Sequence, residues 1–110
     1  MASTVISFTY SDKNLFDKVK TWATENNYKV KQSNDNYMLL QKGGYFSFNA
    51  HPNLMVDNKD GQVTMEAWIS PIWGGKMEIS SDNPLGFAAK GAARGQINKL
   101  LTILNQKPIT

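Results

Sequence analysis

The chain contains no cysteine and one histidine. The first absence excludes a disulfide scaffold, a thiolate zinc site and a cysteine nucleophile together. The second excludes a multi-histidine metal cluster, so neither a metal nor a cofactor is expected. Arginine is almost missing: Arg94 stands alone among Lys+Arg 12, which face Asp+Glu 9 to give a net charge of +3. No stretch approaches the ~18 consecutive apolar residues of a membrane span. The start, Met1-Ala2-Ser3-Thr4-Val5-Ile6, has no basic region followed by an apolar segment, so it does not read as a signal peptide. A cytoplasmic protein with no membrane association is the expectation.

What is present is enough for a core. The 110 residues are 41% hydrophobic and include three Trp, four Tyr and five Phe, so a disordered chain is excluded. No linker, repeat or low-complexity tract divides the sequence, and residues 1–110 read as one domain.

Thr4 to Tyr10 alternates with period two and is rich in β-branched and aromatic residues, which predicts a strand with Ile6, Phe8 and Tyr10 on one side. Ser11 or Asp12 is the expected helix cap. Leu15, Phe16, Val19, Trp22 and Ala23 then recur at helical spacing up to Asn26-Asn27, where asparagine accepts the left-handed conformation of a helix stop. Strand signals follow at Tyr28–Lys31 and Tyr37–Gln41, separated by a turn at Ser33-Asn34-Asp35-Asn36. Tyr45–Ala50 alternates again, His51-Pro52-Asn53 is expected to interrupt it, and Leu54-Met55-Val56 resumes. The run Asp57-Asn58-Lys59-Asp60-Gly61 signals a hairpin. From Gln62 to Ser70, Val63, Met65, Ala67 and Ile69 share one face and Thr64, Glu66 and Trp68 the other. Lys76–Ser80 reads as a last short strand. Asn83-Pro84 opens a final helix striped by Phe87, Ile97, Leu100, Leu101 and Leu104, with Pro108 as its expected stop.

The predicted order is β-α-β-β-β-β-α. Strands with one apolar side need a cover, and two amphipathic helices are available. The expected architecture is therefore an α+β two-layer sandwich: an antiparallel sheet of about five strands with both helices on one face. This element order resembles the strand–helix–four-strand–helix layout of TATA-binding-protein-like and helix-grip domains. The resemblance lies in element order alone.

Motifs with chemical meaning mostly dissolve. Gly74-Gly75-Lys76 leads into a strand and lacks the spacing of a phosphate loop. Placing Gly61 at the sixth position of a calcium loop leaves Val56 at the first and Ala67 at the twelfth, where ligands are required. His51 has no acidic neighbour in sequence to orient it as a base. Glu66 and Glu78 fall on adjacent predicted strands and could in principle pair as acid and base. No catalytic residue is assigned, and the chain is read as a non-enzyme.

Two features remain. Gly91 and Gly95 stand among alanines in the final helix, and their small size suggests close packing on the sheet or on a second copy. The sheet face away from the helices should carry Tyr45, Ser47, Asn49, Glu66, Trp68, Lys76 and Glu78, with Trp73 in the adjoining loop. A contiguous aromatic patch marks a recognition surface. Tyr45, Trp68, Trp73, Glu66, Glu78 and Lys76 are thus the candidate ligand-binding residues. The reading is a small binding domain for a protein partner or a small amphipathic ligand, able to form a homo-oligomer. The alternative is a nucleic-acid-binding module using lysines and exposed aromatics, in keeping with a pI near 9.2.

Overall fold

The computed structural model describes residues 4–42, 51–70 and 87–109, with side-chain surroundings in the last segment from residue 93 onward. Five strands, β1 (Thr4–Thr9), β2 (Tyr28–Asn34), β3 (Tyr37–Lys42), β4 (His51–Lys59) and β5 (Gln62–Ser70), form one antiparallel sheet in the order β1-β5-β4-β3-β2. Two helices, α1 (Leu15–Glu25) and α2 (Phe87–Ile103), complete an α+β fold of the expected class and order. The predicted strand at Lys76–Ser80, and the expectations for Tyr45–Ala50, Asn83-Pro84 and Gly91, lie outside what is described.

The sheet topology follows from short connections. Strands β2 to β5 form a meander, and β1 joins its far side beside β5, so α1 carries the chain from one edge strand to the other. Register locks the faces, because in antiparallel pairing directly opposed residues share a side. Leu40 faces Leu54, Leu54 faces Ala67, Val56 faces Met65, and Met65 faces Ile6. These side chains, with Met38, Val63 and Ile69, make a layer whose buried members are almost completely shielded; Ile6 and Phe8 are half-buried against it. Helix α1 lays Leu15, Val19, Trp22 and Ala23 on this layer, α2 adds Ala93, Ile97, Leu100 and Leu101, and Leu104 follows from the turn after it.

Local chemistry sets the turns. Asp60 and Gly61 join β4 to β5 with φ of 53° and 90°, the double positive φ of a type I′ hairpin, whose twist matches the flanking strands. The Asn58 side-chain oxygen accepts the Gly61 N–H at 2.9 Å, and Gly61 O accepts the Tyr10 N–H at 2.8 Å. Between β2 and β3 the turn is tighter than expected, because pairing persists to Asn34↔Tyr37 and leaves Asp35-Asn36 alone in the loop.

Four expectations are corrected. Asn14, not Ser11 or Asp12, precedes α1, and it makes no side-chain capping bond because its Oδ1 accepts the Tyr10 hydroxyl at 3.0 Å. Helix α2 stops before Pro108: Asn105 turns left-handed at φ 59°, while Gln106 N donates to Leu101 O and Asn105 N to Thr102 O, a Schellman closure. Pro52 does not break a strand but lies buried within β4. Asn58 sends its N–H away from β5, to Asn36 O, so by alternation the Pro52 nitrogen also faces the β3 side. The last β3–β4 pair is Gln41↔Asn53, and the missing donor falls just beyond it. Finally, Gly95 does not let α2 approach the sheet. It is exposed, and a Cβ there would meet nothing within 4 Å.

One junction ties both helices to the sheet. Trp22 Nε1 donates to Gln96 O at 2.9 Å, and the Tyr28 hydroxyl donates to Gln96 Oε1 at 3.3 Å. The two rings pack with centroids 4.6 Å apart, in the range of favourable tilted pairs. Lys42 Nζ donates to Asn26 O at 2.7 Å, satisfying a carbonyl at the end of α1, and sits 5.6 Å from the Tyr28 ring centroid. Burial drives the Tyr28 phenol well above its ordinary value of 10.0 and pushes the Lys42 ammonium down, in each case by disfavouring the charged form.

This architecture sets opposite signs for two glycine substitutions and a pH dependence for Tyr28. Gly95→Ala raises the unfolding free energy by about 0.5–1 kcal/mol, since it stiffens the unfolded chain and meets no obstacle. Gly61→Ala lowers it by about 1–2 kcal/mol, because an L side chain resists the left-handed backbone. Denaturant midpoints of the two variants check both signs. A raised folded-state value means that the Tyr28 contribution is intact below pH 10 and is lost as pH climbs above it. Unfolding curves recorded across about pH 9–11 therefore show a stability decline that is shallower in Tyr28→Phe.

Candidate functional site

The opposite face of the sheet belongs to the residues that register sends away from the helices. Leu39 faces Met55, Met55 faces Glu66, and Glu66 faces Val5, a row that crosses four strands. One step along, Gln41 faces Asn53 and Asn53 faces Trp68. Trp68 is the diagonal neighbour of Met55, within reach for a ring of its size. Leu39, Met55, Glu66 and Trp68 are half-buried, and Val5 is 61% exposed. On the far side of the Met55 row, Tyr37 faces Asp57 and Asp57 faces Thr64. The face is thus an apolar streak of Leu39, Met55 and Trp68 running toward Val5, bordered by polar groups.

Next to Trp68 the face closes into a hydrogen-bonded cluster. Gln41 Nε2 donates to Asn53 Oδ1 at 3.0 Å, while Asn53 Nδ2 donates to Ser70 Oγ at 2.9 Å and to His51 O at 2.8 Å. Asn53 is only 6% exposed, so these bonds offset the cost of taking an amide out of water. Beside them the Nδ1 of His51 is shielded from solvent without a hydrogen-bond partner. His51 stands opposite Ser70 at the start of β4.

Of the candidate residues read from sequence, Trp68 and Glu66 occupy the predicted face on β5, two positions apart. Tyr45, Trp73, Lys76 and Glu78 lie outside the described residues, as does any pairing of Glu66 with Glu78. Sequence reasoning missed Leu39, Met55 and Asn53. Leu39 sits in the run Met38-Leu39-Leu40, which has no alternation to say which member faces out, and Asn53 was read as part of a break at Pro52. Among the described residues, no group of three or more His, Cys, Asp or Glu side chains could hold a metal ion. No described helix is long and apolar enough to cross a membrane.

The Asn53 cluster generates its own prediction. Asn53→Ala leaves the Gln41 amide and the Ser70 hydroxyl short of a partner and lowers stability by about 1–3 kcal/mol. Gln41→Ala, at the half-buried end, has the smaller effect; paired urea titrations read the difference.

Comparison with known proteins places the fold but not its use. No protein-family model matches the chain, and no curated protein matches it in sequence. Among solved structures, the chain is similar to a DUF4468-family protein from Bacteroides ovatus, with a TM-score of 0.52 at 13% identity, over 98% of this chain and 88% of that one. At that identity the likeness concerns the arrangement of strands and helices alone.

Proposed function

We propose that this protein is a non-enzymatic binding domain whose outer sheet face recognises a small amphipathic ligand or a partner protein. The observation that carries the reading is the streak of Leu39, Met55 and Trp68 on the face opposite the helices. A sheet whose second face only meets water has no need of a tryptophan, a methionine and a leucine side by side. Beside the streak, Gln41, Asn53 and Ser70 supply fixed polar groups, the combination of apolar wall and few oriented polar atoms that small-molecule sites share. In this arrangement an apolar body lies against Trp68 and Met55 while a polar head meets the Ser70 end. No group of reacting side chains is required.

Native mass spectrometry of the purified protein, with 8-anilinonaphthalene-1-sulfonate as an amphipathic probe, tests the proposal. Retained adduct or saturable probe binding is expected, weakened at least about tenfold in Trp68→Ala and Met55→Lys, the loss of about 1.4 kcal/mol of contact. Unchanged circular dichroism in the variants separates this from unfolding. A bare chain that ignores the probe, or equal binding by both variants, contradicts it. Binding of oligonucleotides that falls steeply with salt would point instead to phosphate contacts.

A further inference from the structure

The two edges of the sheet are treated differently. Strand β2 carries Lys29 and Lys31, and its register with β3 shifts between Val30 and Gln32. Charge and a bulge on an edge are the ordinary guards against pairing with another strand. Strand β1 has neither guard. Its sequence, Thr4-Val5-Ile6-Ser7-Phe8-Thr9, holds no charge and no proline, and it pairs with β5 without a register shift. Among the described residues nothing pairs with its far side.

Which main-chain groups are unused follows from alternation. Tyr10 N donates to Gly61 O, and that pair continues the register Thr9↔Gln62. In an antiparallel ladder the bonded pairs alternate, so Phe8 and Ile6 exchange bonds with Val63 and Met65. Val5, Ser7 and Thr9 then point their N–H and C=O groups outward. These residues are evenly spaced about Ser7, and their side chains are exposed.

We propose that β1 is a homodimerisation edge, on which a second copy of this chain adds its own β1 in antiparallel pairing about a two-fold axis at Ser7. Only this centre uses every outward group: Ser7 meets the second copy's Ser7, and Val5 meets the second copy's Thr9. Centring on Ile6 or Phe8 leaves one of the three without a partner in the strand. The strand is self-complementary, since two neutral edges bring no like charges together in a chain of net charge +3. The same register sets Ile6 across from the second copy's Phe8 on the helix side, burying two side chains that one copy leaves half-exposed. The result is an isologous interface and a continuous ten-stranded sheet. This inference does not depend on the outer-face reading.

The absence of cysteine allows a direct test. Facing Cα atoms in a bonded antiparallel pair lie about 5.5 Å apart, within disulfide reach. Ser7→Cys, mildly oxidised, is expected to cross-link at least tenfold faster than Thr9→Cys, which is exposed as well, whereas mixed Val5→Cys and Thr9→Cys proteins cross-link to each other. Sedimentation equilibrium of the unaltered chain should show the mass rise from 12.3 kDa toward twice that value with concentration. Ser7→Pro removes an outward donor without touching a bond to β5 and keeps the chain monomeric; Val5→Lys does the same by charge, should the proline variant fail to fold. A monomer at every concentration, a dimer that both variants leave intact, or equal cross-linking at Ser7 and Thr9 overturns the proposal.

Discussion

Everything in this molecule depends on the strict period of two along β5. Val63, Met65, Ala67 and Ile69 are completely shielded while the residues between them are not. Strand β5 lies between β1 and β4, so its register is communicated to both neighbours. A slip of one residue would turn the whole apolar set toward water, a loss of roughly 1.5–3 kcal/mol for each large side chain. That penalty holds the core face and the outer face apart. It is also the reason that Glu66 and Trp68 stand on the outer face.

The helices answer this constraint rather than impose one. Both present apolar stripes to the same face, and they meet through Gln96, which takes hydrogen bonds from Trp22 and from Tyr28. One residue of α2 thereby anchors α1 and the edge strand β2. Among the described residues, strand chemistry is open on the outer face and along the two sheet edges, of which β1 has neither the charges nor the register shift of β2. The proposed ligand streak uses side chains of the outer face, and the proposed dimer uses main-chain groups of β1, so the two can operate together.

Much of the fold was legible in the residues. The alternation of β1 and β5, the stripe of α1 and the Asp-Gly hairpin each rest on local chemistry, and each is found where the pattern places it. What was not legible rests on long-range geometry. Pro52 reads as a breaker, yet it is tolerated because the pairing of β3 with β4 ends one residue earlier, at Gln41↔Asn53. Asn53 reads as a loop residue, yet Gln41 and Ser70, distant in sequence, satisfy it inside the sheet. Gly95 suggests close packing, yet it faces open space. The candidate site was half readable: Trp68 and Glu66 followed from alternation, while Leu39 and Met55 needed the register of β3 on β4 and of β4 on β5.

The most direct examination of the account is thiol reactivity at two adjacent positions of β5, introduced singly into a chain that has no cysteine of its own. Under native conditions, Glu66→Cys is expected to react readily with a maleimide. Ala67→Cys, a small change at a site 1% exposed, should react only as fast as the whole protein opens. The reverse order, or equal rates under conditions where the protein is folded, would mean that the two faces of the sheet are not divided as described.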